Sequence, residues 1–283
     1  MVKFGTAGNP ELFYDEGGKS SLEMPAWLEK AGLDAYEYQC GRGVKISDEA
    51  ARKLAKQAEK HKIKLSVHAP YFINISSIEP EKVDNSINYI LQAANAAHNM
   101  NADRIVVHMG SAKDITRRHA MEISAVTVKR ALDEMDNAGV GDVAICLETM
   151  GKINQMGTVE EVVQMCCMDE RLVPALDFGH INARTQGELK SEEDFEHIIK
   201  YMEKKIGTER TNTFHAHFSK IEYTKAGEKK HLTFDDTEYG PEFAPLARVL
   251  AARKMSPVII CESAGTQSID AIKMKKIYEE CLK

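Results

Sequence analysis

Five short apolar runs in this chain each end in a side chain able to bind a metal ion, and that repetition constrains the fold more than any other feature. The runs are Leu65-Ser-Val-His68, Ile105-Val-Val-His108, Val143-Ala-Ile-Cys-Leu-Glu148, Val173-Pro-Ala-Leu-Asp177 and Val258-Ile-Ile-Cys-Glu262. The fourth is followed three residues later by His180. Runs of this length, rich in β-branched residues, read as parallel strands buried on both faces. A polar group at the carboxyl end of strand after strand points to one site at the top of a (β/α)8 TIM barrel.

The intervening segments fit that architecture. Helices are expected over residues 22–31, 47–61, 80–99, 116–137, 159–168, 191–207, behind Pro241, and over 269–282. Ser47 is a natural N-cap, and Asp48 and Glu49 suit the positive end of the helix dipole. Further strands are expected at Lys3-Phe-Gly-Thr6, Ala35-Tyr-Glu-Tyr-Gln39 and residues 212–218, with a polar loop over residues 219–238. Eight strands alternating with eight helices, with no Pro/Gly/Ser linker, predict a single barrel domain spanning residues 1–283. The open doubly wound alternative lacks its usual phosphate loop, since the chain has neither GxGxxG nor GxxxxGK[ST].

Composition bounds what such a barrel meets. With 43% hydrophobic and 28% charged residues, an ordinary soluble protein with ample core is expected. A net charge of −6 argues against a generic nucleic-acid binder, although basic loops or bound cations reverse the sign locally. The six cysteines show no CxxC spacing, so a reducing, cytoplasmic protein is expected. The N-terminus runs straight into a strand, which predicts no signal peptide. No apolar run approaches the roughly 18 residues of a membrane span, and a monomer is expected.

The metal-capable residues at strand ends are His68, His108, Glu148, Asp177, His180, His215 and Glu262, with His231 on the loop after strand seven. Any one of them alone reads as a hydrogen-bonded core group. Seven at one end of a barrel are costly to desolvate together without a cation. Imidazole and carboxylate without thiolate suit Zn²⁺, with Mn²⁺ or Fe²⁺ as alternatives. The number of ligands suggests two or three ions.

These residues sit in motifs that resemble those of endonuclease IV, the AP endonuclease family 2 of the xylose isomerase-like TIM barrels. The motifs are His68-Ala-Pro-Tyr-Phe-Ile-Asn74, Val107-His-Met-Gly-Ser111, Leu147-Glu-Thr-Met-Gly151, Leu176-Asp-Phe-Gly-His180, Phe214-His-Ala-His-Phe-Ser-Lys220 and Cys261-Glu262. The resemblance implies a trinuclear zinc cluster and hydrolysis of double-stranded DNA 5′ to abasic sites, a DNA-repair activity. It implies that His68, His108 and Glu148 hold one ion. Glu148, Asp177, His215 and Glu262 would hold a second, with Glu148 bridging and acting as the catalytic carboxylate. His180 and His231 would serve a third. Tyr71 falls where the family inserts residues into DNA, and Arg42, Lys45, Lys220 and Lys225 are candidate phosphate contacts.

The chain departs from the family pattern in three places. Lys229 stands where the third site has a carboxylate, so either Glu228 or Glu222 substitutes or that ion is weakly held. Phe218 replaces an Asp three residues after His215. The loop over residues 40–45 is short for gripping DNA. The same barrels host sugar isomerases and epimerases with one divalent ion. Under that alternative Glu148, Asp177, His215 and Glu262 suffice, and a polyol substrate replaces DNA.

Overall fold

The computed structural model describes residues 1–113 and 115–283. Eight parallel strands close into a barrel: β1 (Lys3–Ala7), β2 (Ala35–Gln39), β3 (Lys64–His68), β4 (Arg104–His108), β5 (Ala144–Glu148), β6 (Leu172–Asp177), β7 (His215–Phe218) and β10 (Val258–Cys261). Each strand pairs with its sequence neighbour in the barrel, and β1 closes the ring against both β2 and β10. At the closure the chains approach tightly. A Cβ on Gly5 would lie 2.1 Å from the carbonyl oxygen of Ala35, so glycine is required there.

Helices α1 (Glu11–Asp15) and α2 (Met24–Ala31) follow β1, and α3 (Asp48–Lys60), α4 (Pro80–Asn99) and α5 (Arg117–Asn137) follow β2 to β4. The α6 helix (Val159–Cys166) follows β5, and α7 (Phe178–Arg184), α8 (Glu192–Ile206) and α9 (Thr208–Asn212) follow β6. The last two, α10 (Phe243–Ala252) and α11 (Gln267–Glu280), flank β10. Sequence capping signals operate as expected. Ser47 accepts the Ala50 N–H, and Thr158 and Glu161 form a reciprocal capping box on α6.

Between barrel and helices lies an apolar layer that includes Phe178, Phe195, Phe214, Phe218 and Phe243, all buried. Truncating one such ring to Ala would cost about 3–5 kcal/mol. Phe218 belongs to this layer, packing on Phe243 with ring centroids 5.0 Å apart. The position where the family motif carries an Asp is therefore core here.

The expected polar loop over residues 219–238 is a correction. It contains an antiparallel hairpin, β8 (Ile221–Thr224) and β9 (Gly227–His231), lying across the barrel mouth. Its turn docks on the loop after β5, where the Ile153 N–H donates to Ala226 O. Gly227 has φ +91°, and a Cβ there would meet Gly151 O at 2.1 Å. Short helices α1, α7 and α9 are likewise additional to the expected eight. Among the described residues no helix is long and apolar enough to cross a membrane.

Candidate metal centre

The parallel register explains which side chains meet. His108 is level with Glu148 across β4 and β5, and Asp177 is level with His217 across β6 and β7. His215 pairs instead with Ala175, two residues deeper. Two residues along a strand amount to about 6.6 Å. His217, not His215, therefore stands beside Asp177, which corrects the expected strand-seven ligand. His215 is fully buried below, next to Glu37.

Glu148 is the hub, and its two oxygens divide the imidazoles between them. Oε2 lies 3.2 Å from His68 Nε2 and 3.0 Å from His108 Nε2. Oε1 lies 3.2 Å from His217 Nδ1 and 3.4 Å from His180 Nδ1. His217 Nδ1 is also 3.6 Å from Glu262 and 4.0 Å from Asp177. On the outer side His180 Nε2 lies 3.4 Å from Glu228 Oε2, and the His180 and His231 ring centroids are 5.4 Å apart.

Five groups have ligand atoms within 4.8 Å of one another: His68, His108 and Glu148; Glu148, Asp177, His217 and Glu262; His180, Glu228 and His231; His68, His217 and Glu262; and, below the cavity, Glu37, His215 and His217. Of the two carboxylates expected there, Glu228 is the one beside His180 and His231. Lys229 points away, paired with Glu222, which also meets Lys230 at 3.3 Å.

Outer contacts set the tautomers. His68 Nδ1 donates to Ala69 O at 2.8 Å, His108 Nδ1 to Tyr71 O at 3.3 Å, and His180 Nδ1 to Thr149 O at 3.0 Å. His231 Nδ1 meets Ser219 Oγ at 2.8 Å. This turns Nε2 of His68 and His108 toward Glu148 and that of His180 toward Glu228, the orientation an imidazole ligand needs. The fit to cations also rests on Asp177. Its Oδ1 accepts the His180 N–H at 2.7 Å and caps α7, while its buried Oδ2 has no hydrogen-bond partner among the described residues. Asp177 Oδ2 lies 3.4 Å from His180 Nδ1 and 4.0 Å from His217 Nδ1, beside Glu148 and Glu262, a set of donors that fits a cation.

Without ions, the groups hold protons instead. Burial pushes the Glu148 carboxyl up, but the His108 and His217 imidazoles overcome this and leave it well below the usual range. Burial pushes His68 down, and its bond to Glu148 more than reverses that, raising it to about 9. His180 and His217 are raised in the same way against burial, chiefly by Asp177 and Glu262 respectively. Burial lowers His215 to about 4, so that ring is neutral. Burial raises Glu262.

The groups border a cavity of about 280 Å³, also lined by Tyr71, Met150, Lys152 and Gln155. Tyr71 is 53% exposed at its mouth. Arg42, Lys45 and Lys225 are exposed on loops and do not line it. Lys220 is buried and bonded to Asp236 O and Glu242, so it is unavailable to a phosphate, contrary to the sequence expectation. A larger groove of about 580 Å³ along α6 to α8 shares only Met150 with this cavity and lies apart from the ligand groups. Sequence reasoning missed Lys152, Glu37 and His217, although His217 stands inside a quoted motif.

Comparisons with known proteins bear on the family and the fold. Residues 25–280 match the family model described as xylose isomerase-like TIM barrel. An uncharacterised protein of Methanocaldococcus jannaschii is 31% identical over 284 residues, covering 99% of this chain and 98% of that protein. A probable endonuclease 4 of Mycoplasma pneumoniae is 30% identical over 175 residues, covering 59% of this chain and 57% of its own length. A Listeria monocytogenes probable endonuclease 4 is 28% identical over 201 residues, covering 65% and 64%. The chain thus spans less than two thirds of these endonuclease relatives. Among solved structures, endonuclease IV from Thermus thermophilus has a TM-score of 0.69 at 16% identity, covering 98% of this chain and 99% of that one. A D-tagatose 3-epimerase-like protein has a TM-score of 0.70 at 20% identity, covering 99% and 97%. The structural likenesses speak for the fold alone, and the matched family model makes the conclusion: this chain belongs to the xylose isomerase-like TIM barrel family.

Proposed function

We propose that this chain is a metal-dependent phosphodiesterase of the endonuclease IV type, hydrolysing DNA 5′ to abasic sites. The observation that carries this reading is the division of Glu148. One oxygen faces His68 and His108, and the other faces His217 and His180. A carboxylate so placed suits a bridge between ions. A one-ion site has no use for His68 and His108, nor for the outer trio of His180, Glu228 and His231. The relatives named probable endonuclease 4 support the same reading.

Divalent ions held by these residues, Zn²⁺ foremost, supply Lewis acidity and lower the pKa of water to near neutrality. The chain's own residues do the rest. Glu148 fixes the spacing of the two inner groups. Glu228 and His231, carried on the hairpin, hold the outer group against His180. The Lys152 ammonium at the cavity wall meets phosphate oxygens, and the exposed Tyr71 ring offers a face for a base beside the lesion.

A second reading has one observation in its favour. Glu148, Asp177, His217 and Glu262 form a complete set for a single ion, over a cavity of about 280 Å³ that matches one sugar unit. That describes a sugar isomerase or epimerase. Protein isolated without chelator, analysed for metal and assayed on an abasic duplex oligonucleotide, separates the two. Two or more ion equivalents with nicking support the nuclease. One equivalent, no nicking and interconversion of ketoses would establish the epimerase.

A further inference from the structure

Of the five imidazoles around the centre, His217 alone faces the carboxylates through an Nδ1 that no backbone carbonyl or hydroxyl occupies; His180 Nδ1 also lies 3.4 Å from Glu148 but donates to Thr149 O. The other four present Nε2, because a backbone carbonyl or Ser219 occupies Nδ1. For Nδ1 of His217 to offer a lone pair, its ring proton must reside on Nε2. The group facing Nε2 is Glu37 on β2, 3.0 Å away at Oε1. Glu37 is fully buried, does not line the cavity, and has His215 and His217 as its group of close neighbours.

The surroundings of Glu37 are built rather than incidental. Its Oε1 also accepts from Gln39 Nε2 at 3.2 Å, and its Oε2 accepts from Ser66 Oγ at 2.9 Å. His215 Nε2 lies 2.9 Å from Oε2. Neither imidazole N–H is well aligned on the carboxylate, so the His217 distance marks a charge contact rather than a linear bond, and the neutral His215 ring makes a close polar contact only. Apolar branched side chains normally fill this layer of a barrel. A charged carboxylate there is costly unless its partners require it.

We infer that Glu37 is a positioning residue for the metal centre, fixing the Nε2-protonated tautomer and ring orientation of His217 so that Nδ1 serves as a ligand. His215 sits beneath as its second support, holding the carboxylate from the other oxygen. Such outer carboxylates fix and strengthen imidazole ligands, and their loss typically weakens metal binding roughly 10- to 100-fold. The inference rests on the metal-centre reading of the proposed function.

The test uses Zn²⁺ as probe on the full chain. Zinc affinity is measured by competition with a chelator for the wild type, Glu37→Gln and Glu37→Met, each with a melt of its zinc-free form. Glu37→Met should weaken one zinc equivalent roughly 10- to 100-fold. Glu37→Gln, which keeps one acceptor, should weaken it less. Long-range ¹⁵N–¹H spectra of the zinc-loaded wild type should show His217 protonated at Nε2 and metallated at Nδ1, which keeps the question open to measurement even if Glu37→Met fails to fold. Affinity within twofold of wild type in Glu37→Met, or His217 metallated at Nε2, overturns the inference while leaving the metal centre standing. No zinc uptake by the wild type would instead defeat the metal-centre reading itself.

Discussion

The inner and outer ligand groups are built by different means. His68, His108 and Glu148 end three consecutive, hydrogen-bonded strands, β3, β4 and β5, so their spacing is fixed by the barrel ladder. His180, Glu228 and His231 come from a seven-residue helix and from a hairpin that crosses the mouth. The barrel register cannot adjust without moving the core. The hairpin is held by its docking rather than by the barrel ladder, and on it Glu228, not Lys229, faces His180 and His231. The same site therefore joins a rigid half to an adjustable half.

The largest expected effect tests the rigid half. Glu148→Gln should lower nicking by about a thousandfold or more, since bridging carboxylates and their ions are worth several kcal/mol of transition-state stabilisation. The ion-free variant should melt below wild type at neutral pH, because the substitution removes the carboxylate that pairs with His68, and the gap should narrow as pH rises through 9. Retained turnover would remove Glu148 from the centre.

Next comes the adjustable half. Glu228→Gln should weaken one ion roughly 10- to 100-fold and leave the inner ions bound, as read by metal analysis after dialysis. Loss of all ions together would mean that the halves are not separable.

A pH series sharpens the contrast at the inner group. In the ion-free protein His68 is raised from 6.5 to about 9. Its pairing therefore stabilises the fold fully below pH 6.5, and that stability fades as pH rises through 9. The upper limit is about 3 kcal/mol for a shift of this size. Ions need neutral imidazole, so zinc affinity should move oppositely and strengthen over the same interval, with proton release on binding. Calorimetric titrations in buffers of different ionisation enthalpy measure that release, and an absence of released protons at pH 7 would contradict the pairing. The smallest effect belongs to Lys229→Asp. Because Lys229 turns toward Glu222, ion stoichiometry should not change, and a gained ion would place that side chain back on the site.

The rigid half was also the legible half. Buried parallel strands announce themselves as apolar runs, and a terminal His or Glu on such a run has one place to go. The error of His215 for His217 shows the limit. Both point inward, and only the register against Asp177 tells which reaches the rim. Glu37 was hidden because Ala-Tyr-Glu-Tyr-Gln alternates like a strand with a solvated face, whereas the barrel buries that face. The hairpin was hidden too. Gly-Glu-Lys-Lys-His offers no apolar alternation, and it is held by docking on Gly151 and Ile153 rather than by its own propensity. The seven residues of α7 were too short and too close to β6 to read as a helix.

Asp177 divides its carboxylate, with Oδ1 holding the first turn of α7 and Oδ2 turned to the neighbouring imidazoles and carboxylates without a hydrogen bond. Under the metal-centre reading, the oxygen that winds α7 is not the one an ion would take. An amide at this position could keep the turn wound while abolishing one ligand, so the chain could lose its chemistry and retain its shape. That separability makes the barrel mouth a place where a catalyst can become a non-catalytic cousin by a single nitrogen-for-oxygen exchange.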